Sequence, residues 1–166
     1  MPGAGIESGY VASFEASMRL ALELAAATDT GSAAGSDVPV GAVVLGPDGS
    51  VAGRGHNQCL ATADPTAHAE VVAIRQAAAA AGSWRLDGCT LVVTLEPCTM
   101  CAGAVLSARI RRLVYGAADP RAGAAGSLWD VVRDRRLGPP VEVLGGVLAQ
   151  ECGALLTGFF ERRRAE

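Results

Sequence analysis

Short β-rich runs alternate with segments of helical periodicity along most of this chain, and that alternation restricts what it can fold into. Strands separated by helices cannot all be joined by tight turns, so helices must pack on the faces of one shared sheet. Residues 13–27 carry Phe14, Met18, Ala21, Leu22 and Ala25 at helical spacing and predict an amphipathic helix. Residues 28–37, rich in Gly, Ser and Ala, predict a flexible loop. Runs over 40–45 and 50–55 flank Pro47-Asp48-Gly49, the signature of a hairpin. Residues 57–65 are polar and broken, hence a loop, and Thr66 is a plausible N-cap for a helix through Ala81, with Gly82 just beyond it.

Residues 90–95 form a strand candidate stopped by Pro97, and a helix follows over about 98–109. A strand over 112–115 leads into the Gly-rich stretch 116–127, then a helical turn over 128–133, a last strand over 141–144 and a last helix over 149–164. The expectation is an α/β fold with one mixed sheet of five strands covered on both faces.

At 166 residues the length fits a single domain spanning 1–166, with a flexible start over about 1–12. A chain of this size buries roughly 70% of its unfolded surface, enough for a core without disulfide staples. Half the residues are apolar and 19% are charged, which excludes a disordered acidic chain. Every apolar run is broken by Arg, Glu, Gly or Pro before the ~18 residues of a membrane span, so no membrane association is expected. No secretory signal is visible in residues 1–10, and a cytoplasmic location is the default. All 14 basic residues are Arg. Net charge is −3, divided as −6 over residues 1–104 and +3 over 105–166, so a polyanion should meet the C-terminal part.

The chemistry sits in His68-Ala69-Glu70 and Pro97-Cys98-Thr99-Met100-Cys101. Cysteines three apart on a first helical turn share a face and can grip one metal ion. The helix N-terminus also favours their thiolates. His68, opening the earlier helix, can supply a third ligand. Three N/S ligands leave the fourth position of Zn²⁺ open for water, whose pKa the ion lowers from 15.7 to about 7. Glu70, two residues on, would project from a different face and suits a proton shuttle rather than a ligand.

Taken alone, the Cys98/Cys101 pair could equally be a redox pair or part of a closed zinc knuckle. A redox pair explains neither His68 nor Glu70, and a knuckle needs a fourth ligand that Cys59, Cys89 and Cys152 are not spaced to give. Those three are expected as buried or loop thiols, His56 as a polar group at the hairpin end, and Trp84 and Trp129 as packing residues. Glu96 fits a second layer around the metal or a solvated strand end equally well.

H-x-E followed by P-C-x-x-C is recognised as the signature of zinc nucleobase deaminases. Beyond it, the chain from about residue 18 to 164 resembles the bacterial tRNA-specific adenosine deaminases of the cytidine-deaminase-like superfamily. The likeness is carried by Val38-Pro39-Val40-Gly41-Ala42, Gly55-His56-Asn57 and Asp64-Pro65-Thr66-Ala67-His68-Ala69-Glu70. Thr94-Leu95-Glu96-Pro97-Cys98, Cys101-Ala102-Gly103-Ala104, Gly123-Ala124-Ala125-Gly126-Ser127-Leu128, and Glu151-Cys152 through to Phe159-Phe160 complete it. The loop over 28–37 is longer than is usual in that family, and Cys59 stands where Pro is common.

The resemblance implies a three-layer α/β/α sandwich, a homodimer, one Zn²⁺ per subunit on His68, Cys98 and Cys101, and Glu70 as proton shuttle. The implied reaction is deamination of the wobble adenosine in a tRNA anticodon stem-loop to inosine, with no DNA partner. Asn57, with backbone groups at Ala69 and Pro97, would read the flipped base, and Asp119 would contact the nucleotide backbone. Phe159, Phe160 and Arg162 would lie along the stem-loop. The alternatives are a zinc deaminase of free guanine, cytosine or cytidine, and a non-catalytic binding protein stapled by zinc.

Overall fold

The computed structural model describes residues 12–30 and 34–166, together with Gly9 and Ser32. The expected flexible start over residues 1–12 falls, apart from Gly9 and Ala12, outside the described residues. The elements run α1 (Glu15–Ala26), β1 (Gly41–Leu45), β2 (Val51–His56), α2 (Cys59–Thr62), α3 (Ala69–Ala81), β3 (Thr90–Leu95), α4 (Thr99–Ser107), β4 (Arg112–Ala117), β5 (Glu142–Gly145) and α5 (Ala149–Ala165).

The five strands form one sheet in the order β2-β1-β3-β4-β5. β1 pairs antiparallel with β2 and β3, whereas β3–β4 and β4–β5 are parallel. β1 is buried along its whole length and β3 along all but Leu95, as central strands covered on both faces should be. Alternation along the strands sends Ala42, Val44, Leu91, Val93 and Leu113 to one face, against Ala69, Ala73 and Ala77 of α3 and Ala102 and Val105 of α4. Val43, Val92 and Val114 go to the other face, against Met18 and Ala21 of α1 and Cys152 of α5. The result is the α/β/α sandwich with a mixed five-stranded sheet.

Small residues bring α3 close to the sheet. A Cβ added at Gly55 would stand 2.4 Å from the Ala69 carbonyl oxygen and 2.6 Å from the Ala73 nitrogen, both backbone atoms of α3. Gly55→Ala must therefore push the start of α3 off β2. Overpacking of this kind costs ~1–3 kcal/mol, so the urea midpoint should fall. An unchanged midpoint would show that the helix has room to give. On the outer side of β2, the Arg54 amide donates to Gln76 Oε1 on α3 at 2.6 Å.

Several local expectations are corrected. Thr66 is not the cap of α3: its amide and hydroxyl donate to Asp64 Oδ1 at 2.8 and 2.7 Å, closing a turn ahead of the helix, and His68 takes the N-cap position. The loop over 57–65 contains the short α2, whose Leu60 and Ala61 amides donate to the Asp37 carboxylate. Residues 128–133 form no helix. Ala125 and Asp130 make an isolated bridge, and the Leu128 and Trp129 amides turn back to the Gly123 carbonyl. The crossover from β4 to β5 is thus a loop.

Residues 28–37 are braced in their described part. Ser36 Oγ accepts from the Thr30 amide, Arg162 pairs with Asp29 at 2.9 Å, and Glu166 accepts from Ser32 Oγ and the Ala34 amide. Trp84 and Trp129 are not core residues. They are 63% and 59% exposed, and the Arg85 guanidinium lies 5.5 Å from the Trp84 ring.

Candidate active site

Two helix N-termini, α3 and α4, meet on the same face of the sheet. His68 and Cys98 each hold the N-cap of their helix with extended backbone, and Cys101 lies in the first turn of α4. An extended cap aims its side chain back past the helix end, which carries positive potential from unpaired amides. His68 Nδ1 stands 3.7 Å from Cys98 Sγ and 3.5 Å from Cys101 Sγ. The three ligand atoms lie within 4.8 Å of one another.

That spacing fits a metal. With Zn–S of ~2.3 Å and Zn–N of ~2.0–2.1 Å, a tetrahedral ion separates S and N by roughly 3.6 Å. Electrostatics agree with the geometry. The hydrogen bond from Cys101, with help from His68, pulls the Cys98 thiol down to about 3, despite burial that opposes ionisation. The same thiolate, together with burial, pushes Cys101 well up. The Cys98 interaction also raises His68 against the effect of burial. The site thus favours a thiolate beside a thiol, and a divalent ion would bind by displacing the remaining proton. Among the described residues this is the one group of His, Cys, Asp and Glu placed to hold an ion. Cys59, Cys89 and Cys152 are free thiols away from it. His56 lies against Asn57 O and Gln58.

Glu70, in the first turn of α3, is 4% exposed, and burial pushes its pKa up to about 7. It lines a cavity of about 210 Å³ together with His68, Cys98, Asn57, Val38, Leu95 and Asp119. A larger cavity of about 620 Å³ lies elsewhere, around Arg85, Arg109 and Pro139, and contains none of these groups.

The remaining expected residues divide. Asn57 is fixed in the wall by its amide, which donates to Val40 O at 3.0 Å, and by Nδ2, which donates to Val38 O at 3.3 Å. Ala69 lines the cavity, and its amide is one of the first-turn donors the helix itself leaves unpaired. The Pro97 carbonyl is engaged by the Ala124 amide at 2.7 Å. Asp119 lines the cavity, but its carboxylate accepts from the Arg121 and Ala122 amides of its own turn. Phe159 is buried in edge-on contact with the exposed Phe160, so its ring is not offered to a ligand. Arg162 is paired with Asp29. Neither Phe nor Arg162 lines the cavity.

Glu96 had two equal readings in the sequence, and the structure decides against the solvated strand end. It is 2% exposed, and burial alone would raise its pKa. Hydrogen bonds from Ser127 and from the Asp119, Ser127 and Ala125 amides outweigh burial and hold it below the usual carboxylate range. Its only sequence signal was its place directly before Pro97-Cys98.

Residues 13–117 match the cytidine and deoxycytidylate deaminase zinc-binding region. The tRNA-specific adenosine deaminase of Haemophilus influenzae is 48% identical over 152 residues, covering 92% of this chain and 86% of that one. A chain solved in a study of adenosine-to-inosine editing by tRNA:A34 deaminases at the wobble position is 42% identical, with TM-score 0.77 over 84% of this chain and 97% of that one. The guanine deaminase of Nitrosomonas europaea is 29% identical, with TM-score 0.73 over 87% and 83%. The region of the match takes in both helix starts, and with them every residue of the metal group. This chain therefore belongs to the cytidine and deoxycytidylate deaminase zinc-binding family.

Proposed function

We propose that this protein hydrolyses the wobble adenosine of a tRNA anticodon to inosine. The observation that carries the reading is Glu70, a buried carboxylate with a pKa raised to about 7, in the same small cavity as a three-ligand metal group. The similarity to tRNA-specific adenosine deaminases at 48% identity supports the substrate class. Zinc held by His68, Cys98 and Cys101 would supply the Lewis acidity that brings the pKa of water to about 7.

Glu70 then carries the two protons of the water in turn on a carboxylate oxygen, the first to N1 and the second to the departing N6. Water adds at C6, the C6–N6 bond breaks, ammonia leaves and a carbonyl remains. A raised pKa suits a group that must accept and release a proton at neutral pH. The cavity is smaller than the ~300 Å³ usual for drug-sized ligands, so it takes one base extruded from its strand. A loop adenosine is already partly unstacked, which makes that extrusion cheap. Asn57 and the Ala69 amide read the base edge, and Pro97, outside the cavity lining, holds the Ala124 amide at 2.7 Å beside it. Asp119 guides the flanking backbone.

Outside the cavity, Phe160 and the Arg-rich end of α5 offer a ring and charge to the stem-loop, and the +3 balance of residues 105–166 favours that approach. Arg162 keeps its pair with Asp29 and uses its remaining guanidinium donors. Such a substrate places the work in the cytoplasm; among the described residues no helix is long and apolar enough to cross a membrane.

The test is an inosine assay on an anticodon stem-loop, run beside free guanine, cytosine and cytidine. Inosine in the stem-loop with the free bases untouched is expected. Turnover of guanine alone would move the chain to the other substrate class.

We also propose a homodimer across the face of α4. Gly103, Leu106, Ser107, Arg109, Val131 and Leu137 line a shallow groove of about 330 Å³, with Leu137 exposed at its rim. Exposed apolar side chains such as Leu137, with polar Ser107 and Arg109 beside them, are buried most simply against a second copy. Sedimentation should give twice the 16.8 kDa chain mass, and Leu137→Asp should shift the protein toward that single-chain mass. A wild-type monomer at micromolar concentration would refute the dimer.

A further inference from the structure

Glu96 directly follows β3 and precedes the metal-ligand turn by one residue, and both its carboxylate oxygens are engaged by a segment more than twenty residues on. Oε2 accepts from the Asp119 amide at 2.9 Å and from Ser127 Oγ in a short hydrogen bond. Oε1 accepts from the Ala125 and Ser127 amides, each at 3.0 Å. We propose that Glu96 is a positioning residue that clamps residues 119–127 as one wall of the base cavity, and so sets how tightly the substrate loop is held. The proposal rests on the deaminase reading above.

The segment lies directly on the carboxylate. A Cβ at Gly123 would stand 2.4 Å from Glu96 Cδ and 2.5 Å from the Asp119 carbonyl oxygen, so no larger residue fits between them. The neighbouring Pro97 carbonyl takes the Ala124 amide at 2.7 Å. Residues 96 and 97 thus hold the segment from below, while Asp119 and Ala122, on its upper turn, face the cavity beside Glu96. The Asp119 side chain is oriented by amides of that same turn. Its direction toward a nucleotide therefore depends on the turn being held.

The chemistry of the clamp requires a carboxylate. Each oxygen faces at least one backbone N–H, and an ionised carboxylate offers acceptors only. A Gln side chain sets its NH₂ either against the Asp119 amide or against the Ala125 and Ser127 amides, so at least one amide of the segment loses its partner. Charge-assisted bonds are roughly twice as strong as neutral ones, which makes the loss larger than a single neutral bond.

The test compares wild type, Glu96→Gln and Ser127→Ala as zinc-loaded proteins. The measurements are zinc content, kcat and KM on the anticodon stem-loop, and hydrogen exchange of individual amides. Glu96→Gln should keep about one zinc per chain, raise KM by ~10-fold with a smaller change in kcat, and speed exchange at Asp119, Ala125 and Ser127 while β3 stays protected. Ser127→Ala, which leaves residues 96–98 untouched, should move KM the same way by ~3-fold. Unchanged exchange in Glu96→Gln, or a fall in kcat with KM constant, overturns the proposal. Should Glu96→Gln fail to fold or lose zinc, the KM of Ser127→Ala decides: a rise supports the clamp and an unchanged value overturns it. Should the wild type make no inosine in the stem-loop, the substrate reading fails and the exchange rates alone decide the clamp.

Discussion

Glu70→Gln is expected to retain zinc and fold while losing at least ~10²-fold in turnover, the scale of general acid–base catalysis. The substitution keeps shape and hydrogen-bonding reach but removes the group that can carry a proton. Its cost to folding should be small, because burial already disfavours the charged form of Glu70 and holds its pKa up at about 7. The sign of the pH effect follows in zinc-stripped protein. A carboxyl with a raised native pKa contributes stability below its unfolded value, near 4.5, and loses it as pH rises through about 7. Wild type should therefore lose stability relative to Glu70→Gln across that window. Single-turnover inosine formation beside metal analysis checks the first claim, and denaturation at several pH values checks the second. Near-normal turnover in the variant would place the shuttle elsewhere.

Cys98→Ala and Cys101→Ala should each abolish stoichiometric zinc. Three donors within 4.8 Å leave no spare ligand among the described residues, so each loss reduces the site to two. The α/β core does not run through the metal, and the variants should fold with reduced stability. With free zinc ~1,000-fold above its dissociation constant, binding contributes ~4 kcal/mol. For a chain of this size that corresponds to roughly 8–16 °C in Tm. A chelator should lower the wild-type Tm by the same amount and leave both variants unmoved. Zinc retained in both variants, or a chelator-insensitive wild type, would remove these ligands from the assignment.

The strands and long helices were legible because their signals are local: Val43, Val44, Val92 and Val93 declare central strands, and Met18, Ala21 and Ala25 declare a helix face. The proximity of His68 to Cys98 and Cys101 was legible through motif spacing, since both segments open helices. What failed was decided by partners distant in sequence or by competition between equally good local choices. Thr66 could cap a helix, but Asp64 offers its hydroxyl a nearer acceptor. Residues 128–133 have adequate helical composition, but the amides just before them are held by Glu96, which no local pattern announces. Phe159 and Phe160 are adjacent, and only the packing of α5 decides which faces inward.

The Gln76 contact with the Arg54 amide has a consequence for how this protein behaves at high concentration. A five-stranded open sheet has two rims, and an unsatisfied rim recruits further strands, the route to fibrils and swapped assemblies. On the β2 rim, the amide of Arg54 is already taken by a side chain from its own helix, and a charged residue marks that same position. On the opposite rim, β5 is only four residues long and opens on Glu142, locked to Arg112 of β4. Both rims are thereby made poorer templates for another strand, so that stacking sheet on sheet edge is disfavoured at each end.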